Sequence, residues 1–310
     1  MNRITLSNGL TVSEAALGAM DFGSRIGKED AFRVLDAYVD AGGNFIDTSN
    51  NYAHWRGTGD ESELLLGEWL SARQNREKVV IATKVGFDRH GTGAGLKKEQ
   101  IEYWIDESLR KLKTDYVDLY YAHTDDPDTP IEETMEAFGR LVEKGKIRTL
   151  GGSNYDTWRF AEACRTAENM GLTPYTVMQQ RFSYLYVRSD AAPKYIFNEY
   201  TDRERLRFLK AKNLPLVAYS CLCKGGYEDP ARMPADYIQG SRMEKLLKIA
   251  SEKGVSASML VLKWLSELYR LPDFPRVIPL FTSSPAHIEE NLKSFEMTLS
   301  DEELAYLTKD

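Results

Sequence analysis

Short apolar runs and longer amphipathic runs alternate eight times along this chain, and that alternation leaves few folds open. The apolar runs are Ala15–Met20, Asn44–Asp47, Lys78–Lys84, Tyr116–His123, Ile147–Gly151, Thr176–Gln180, Leu216–Ser220 and Arg276–Pro279. They are rich in valine, isoleucine and leucine, which predicts strands buried on both faces. The amphipathic runs predict helices over Glu29–Ala41, Glu61–Ala72, Lys98–Lys113, Ile131–Lys144, Thr157–Met170, Arg203–Lys212, Ala257–Leu268 and Pro285–Lys293. Gly42-Gly43, Gly145 and Gly171 stand where helices should stop. Eight βα units in 310 residues predict an α/β fold whose parallel strands close into a (β/α)8, or TIM, barrel. An open doubly wound sheet needs a phosphate-binding glycine loop after its first strand, where this chain has Asp21-Phe22-Gly23-Ser24.

Both ends add to the barrel. The stretch from Arg3 to Val12 alternates in polarity around Asn8-Gly9, a pair that favours a type I′ turn, so it predicts an N-terminal β-hairpin. Ser300 with Glu303 three residues on is a capping-box pattern, predicting an extra C-terminal helix over Asp301–Leu307. Residues 1–310 read as one domain, with no linker or low-complexity tract.

Composition excludes several classes of function. A net charge of −7, spread along the chain, argues against nucleic-acid binding. Cys164, Cys221 and Cys223 make no disulfide framework and suit a reducing compartment. The N-terminal residues show no secretory h-region, and no apolar run is long enough to span a membrane, so we expect a cytoplasmic protein. His54, His90, His123 and His287 show no metal-ligand spacing, and no metal is expected. The glycines at 91, 93 and 95 fail the dinucleotide pattern because position 96 is leucine.

In a barrel of this kind, reacting side chains sit at the C-terminal ends of strands and in the loops after them. There the second predicted strand ends in Asp47, the third in Lys84 and the fourth in His123, with Tyr52 one loop beyond Asp47. Alone, each is a turn former, a rim residue or packing. Together they suit one reaction. Reducing a carbonyl needs a hydride at carbon and a proton at oxygen. A free tyrosine, with a pKa of about 10, gives its proton poorly near neutrality. A neighbouring lysine cation should lower that pKa, an aspartate should hold the lysine, and a histidine should steer the substrate oxygen.

The chain resembles the aldo-keto reductase family over nearly its whole length. The resemblance rests on the hairpin, Leu17-Gly18-Ala19-Met20, Asn44 through Tyr52, Ala82-Thr83-Lys84, Asp118 through His123, and Gly151-Gly152-Ser153-Asn154-Tyr155. It implies a TIM barrel, a nicotinamide cofactor, a small-molecule carbonyl or alcohol substrate, and a catalytic tetrad at Asp47, Tyr52, Lys84 and His123. It further implies that Ser153, Asn154 and Gln179 bond the nicotinamide carboxamide and that Tyr219 stacks on the ring. Gly18, Ala19, Met20 and Asp47 would line the same site. Ser220 and Leu222 would follow the pyrophosphate, where Cys221 replaces the family's proline. The adenosine end would fall on Ser283, His287, Glu290 and Asn291. No lysine or arginine follows Pro279 there, so NADP(H) is expected on family grounds with NAD(H) left open.

Asp21, Phe22, His54, Trp55, Arg56, Phe87, Asp88 and Tyr184 are expected to line the substrate pocket. Their polarity suggests a sugar, keto-sugar or polyol. The long connection from Tyr184 to Tyr200, with Arg188, should form a partial lid. Two other functions fit the same residues. One is a Schiff-base aldolase using Lys84, which a paired Asp47 would oppose. The other is a regulatory protein that senses a nucleotide's redox state on this fold.

Overall fold

The computed structural model describes residues 1–88, 91, 94–191 and 200–309. Strands β1 (Arg3–Thr5) and β2 (Thr11–Ser13) form an antiparallel hairpin. Eight further strands close into a barrel: β3 (Ala16–Gly18), β4 (Phe45–Asp47), β5 (Val80–Val85), β6 (Val117–Ala122), β7 (Ile147–Ser153), β8 (Met178–Arg181), β10 (Leu216–Tyr219) and β12 (Val277–Phe281). Neighbours in the barrel are parallel, and β12 pairs with both β10 and β3 to close it. The expected fold class is therefore the observed one. Helices α1 (Lys28–Asp40), α2 (Glu61–Arg73), α3 (Lys98–Leu112), α4 (Ile131–Glu143), α5 (Thr157–Asn169), α6 (Arg203–Ala211), α8 (Ala257–Glu267) and α9 (Ile288–Lys293) match the predicted runs. The capping box at Ser300 opens α10 (Asp301–Thr308), with Ser300 Oγ accepting from Glu303 N at 3.1 Å.

Three features differ from expectation. The hairpin turn is not type I′. Gly9 donates to Leu6 O at 2.9 Å and Leu6 to Leu10 O at 2.8 Å, and only Gly9 takes a positive φ (88°). Type I′ needs positive φ at both central residues, and Asn8 does not adopt it. A helix, α7 (Gly240–Lys253), precedes α8, burying Met243, Leu246, Ile249 and Ala250 along one face. Finally, β9 (Tyr186–Val187) pairs with β11 (Tyr237–Ile238), tying the connection after β8 to the one after β10.

Packing decides which end of the barrel can hold chemistry. Ala16, Phe45, Val80, Leu119, Val177, Val217 and Ile278 fill the interior in one apolar cluster with Ile4, Leu6 and Val12 of the hairpin. The hairpin therefore plugs the end where the strands begin. The polar strand ends lie at the opposite mouth.

Candidate active site

Lys84 on β5 is fully buried, and its neighbours explain how a buried ammonium is tolerated. Its Nζ pairs with the Asp47 carboxylate at the end of β4 and donates to Thr48 O at 2.7 Å and to the Tyr52 hydroxyl at 2.8 Å. Tyr52 in turn donates to Asp47 Oδ1 at 3.3 Å. Gln179 on β8 holds the other aspartate oxygen, Nε2 to Oδ2, at 2.8 Å. The Tyr52 and His123 rings meet edge to face at 5.9 Å, and Phe87 packs edge-on against His123 at 4.6 Å. The structure thus brings Asp47, Tyr52, Lys84 and His123 together at one mouth.

The electrostatics differ from the expected account in one respect. Burial pushes the Tyr52 phenol well above its usual value, and the Asp47 charge and hydrogen bond add to the rise. Burial also pulls Lys84 below the usual lysine range, against the opposing pull of Asp47. Desolvation and the carboxylate outweigh the lowering effect expected of the lysine, so the phenol rests protonated. Burial, then the Lys84 charge, depresses His123 well below the ordinary imidazole value. It is neutral at physiological pH.

A pH profile follows from these directions. A reduction that needs a protonated phenol and a neutral imidazole should show a level kcat/KM from about pH 6.5 to about pH 9. His123 gains its proton only on the acid side, and Tyr52 loses its proton only on the far alkaline side. A fall in kcat/KM centred near neutrality would contradict the assignment.

Several residues expected to hold a nucleotide share this mouth. Ser153 ends β7, pairs in register with Gln179, and is fully buried with an Oγ that has no hydrogen-bond partner among the described residues. Asn154, at φ 56°, donates from Nδ2 to His123 O at 2.9 Å and accepts from the Tyr219 hydroxyl at 2.7 Å. Gly18 ends β3, where a Cβ would lie 3.0 Å from Thr282 Oγ1, so its bare backbone lets the segment after β12 approach closely. Ala19 donates to Asp47 O at 2.8 Å, and Met20 is exposed beyond it. After β10, Ser220 takes φ 54°, Leu222 is half-buried, and the turn continues through Cys223, Lys224 and Gly225 at positive φ. After β12, Asn291 Nδ2 donates to Ser283 Oγ at 3.1 Å, while exposed His287 lies 3.7 Å from Glu290. A buried serine with a free hydroxyl, beside an amide-rich cleft, fits a nicotinamide carboxamide. A nucleotide there would be held by Ser153, Asn154 and Gln179 at one end and by the Ser283–Asn291 segment at the other.

The expected pocket lining divides. His54 and Trp55 meet edge to face at 5.1 Å, with Trp55 half exposed; Arg56 is exposed. Phe22 and Tyr184 do not face a pocket. Phe22 is fully buried in the core, held by a bridge to Ile26. Tyr184 is buried against Trp264 at 5.0 Å under the Arg242 guanidinium at 4.3 Å. Arg188 pairs with Asp190 at 2.7 Å on the surface. Residues 192–199 of the expected lid, and positions 89, 90, 92 and 93 in the loop after β5, lie outside the described residues. Sequence reasoning also missed Ser49, whose Oγ reaches His123 Nδ1.

Comparison with known proteins bears on the same reading. The model for the aldo/keto reductase family matches residues 15–309. The norsolorinic acid reductase stcV of Emericella nidulans is 32% identical, over 96% of this chain and 77% of that protein. An NADP(+) aryl-alcohol dehydrogenase of Phanerodontia chrysosporium is 29% identical, over 96% and 82%. A thermostable aldo-keto reductase solved with the inhibitor epalrestat superposes with a TM-score of 0.76 at 26% identity, covering 99% of this chain and 98% of that one.

Proposed function

Since the chain belongs to the aldo/keto reductase family, and is thereby an NAD(P)H-dependent carbonyl–alcohol oxidoreductase, we propose that Tyr52 is its proton donor. The observation that carries this reading is the buried Lys84 ammonium, which joins Asp47 and the Tyr52 hydroxyl at one point. A nicotinamide bound beside Ser153, Asn154 and Gln179 would supply hydride to the carbonyl carbon. As charge grows on the carbonyl oxygen, Tyr52 delivers its phenolic proton there. The Lys84 ammonium, 2.8 Å away, stabilises the oxyanion left on tyrosine. Asp47 holds that ammonium in place, and Gln179 holds Asp47. The ion pair also opposes Schiff-base chemistry at Lys84, which needs a neutral, unpaired amine.

The walls support an aryl carbonyl as substrate. Phe87 and His123 make an aromatic surface beside Tyr52, and Trp55 packs edge-on against His54 in the loop that follows Tyr52. Asp21 pairs with Arg25 at 3.5 Å, and Asp88 accepts from Gly91 N at 3.1 Å, so each carboxylate has a contact within its own loop. The relatives named for norsolorinic acid and aryl alcohols are consistent with such a pocket. The test is a panel pairing benzaldehydes with aldoses, keto-sugars and polyols of similar size. We expect higher kcat/KM for the aryl members, falling about 3- to 10-fold in Trp55→Ala. Higher values for the sugars or polyols, with the aryl members untouched by Trp55→Ala, would restore the polyhydroxylated substrate.

For the nucleotide we propose NADP(H) with weak discrimination against NAD(H). The NADP(+) relative supports the first part, and the absence of a lysine or arginine between Pro279 and His287 the second. Arg276 cannot serve, because it precedes β12 at the plugged end and lies 3.3 Å from the Tyr269 ring centroid. Replacing His287 by arginine should raise the NADPH-to-NADH ratio of kcat/KM roughly tenfold through a charge-assisted phosphate contact. An unchanged ratio would remove His287 from the phosphate site and point to Lys224. Among the described residues no helix is long and apolar enough to cross a membrane. Three unpaired cysteines, two of them buried, support a reducing, cytoplasmic setting.

A further inference from the structure

The proton donor's task accounts for the contacts of Asp47, Tyr52 and Lys84, but not for what stands behind His123. Ser49 lies two residues past the end of β4 and is fully buried. Its Oγ is 3.1 Å from His123 Nδ1 and donates to Asn51 Oδ1 at 2.8 Å. The main-chain carbonyl of Asn51 accepts from His54 Nδ1 at 2.9 Å, which fixes the backbone that carries this amide. A hydroxyl has one proton, and a neutral imidazole has one N–H and one lone pair. With its proton committed to Asn51, Ser49 can only accept from the ring. We propose that Ser49 is a positioning residue that holds His123 in its Nδ1–H form, so that Nε2 offers a lone pair to the reacting oxygen.

The consequence is directional. An Nε2 lone pair accepts a hydrogen bond from an alcohol and gives none to a carbonyl. The site then favours the alcohol in the ground state, and Tyr52 alone donates to a carbonyl oxygen. This consequence rests on the reading of the mouth as a carbonyl site; the tautomer itself does not.

Ring ¹⁵N–¹H spectra of the full-length protein decide the tautomer without any substrate. Only four histidines are present, and His123→Gln assigns the signal. Wild type and Ser49→Thr should carry the proton on Nδ1. Ser49→Ala removes the acceptor, and Asn51→Ala frees the serine proton for Nδ1; both should move the ring proton to Nε2. Protonated Nε2 in the wild type, which a turned Asn51 amide would produce, overturns the proposal. So does an unchanged ring in the variants. Binding supplies the second readout, with benzyl alcohol titrated into the NADPH-loaded protein and benzaldehyde into the NADP⁺-loaded protein. In Ser49→Ala the alcohol should bind roughly 3- to 10-fold more weakly, while the aldehyde does not weaken, and Ser49→Thr should restore both. Equal weakening of the two ligands would mean that Ser49 only packs the ring, and would overturn the positioning role. The correct tautomer with neither ligand bound by the wild type would overturn the directional role and count against the carbonyl-site reading, leaving the serine contact intact.

Discussion

Replacing Tyr52 by phenylalanine should lower kcat for carbonyl reduction by about 10² to 10⁴ while leaving nucleotide affinity and folding close to wild type. The phenol carries a proton at neutral pH because burial and Asp47 keep it protonated, and Lys84, 2.8 Å from its oxygen, stabilises the charge left behind when that proton leaves. His123, neutral and depressed by burial, is a poor substitute acid. The substitution removes one hydroxyl from a partly buried ring and leaves the Lys84–Asp47 pair in place. Stability should therefore move little, and the loss should fall on kcat. Steady-state kinetics with a parallel nucleotide titration check this. Near-normal kcat, under conditions where chemistry limits the rate, would remove Tyr52 from the role.

The second large effect concerns the ion pair. Lys84→Met leaves the Asp47 carboxylate buried with, among the described residues, Gln179 and Tyr52 to face it. Asp47→Asn leaves a buried ammonium without its counter-charge. Each should cost about 3–5 kcal/mol of stability and nearly all activity. The double substitution removes both charges together. Most of the stability should return, because a buried pair replaced as a unit is often neutral. Activity should not return, since the phenolate would have no cation. Urea midpoints and kcat on the three variants separate the two roles. A double variant as unstable as the singles would mean that the pair itself stabilises the barrel; restored activity would mean that it has no part in the chemistry.

The barrel was legible because its strands are buried on both faces and most of its helices on one, so period and punctuation separated them, although α8 is buried nearly all round. The site was legible for a related reason: Asp47, Lys84 and His123 are polar residues ending apolar strands, and a barrel fixes where strand ends go. What failed needed three dimensions. Phe22 and Tyr184 lie next to mouth residues in sequence, but a tight bridge and a distant tryptophan turn them into the core. The two-residue strands β9 and β11 are too short to leave a pattern. Helix α7 did carry a readable repeat in Met243, Leu246 and Ile249, which the expectation of one helix per strand obscured. The ionisation of Tyr52 depends on how deeply the cluster sits, and residue types alone carry no measure of depth. Ser49 reaches His123 across 74 residues of chain, and nothing local marks it.

The most direct test of the account is a single turnover. Protein loaded with NADPH bearing deuterium at its transferable position is mixed with benzaldehyde, and nicotinamide absorbance and product are followed together. The account predicts one benzyl alcohol per nucleotide oxidised, deuterium on the carbinol carbon, and a transfer rate about 10² to 10⁴ lower in Tyr52→Phe with the nucleotide still bound. Transfer at the wild-type rate in Tyr52→Phe would contradict it.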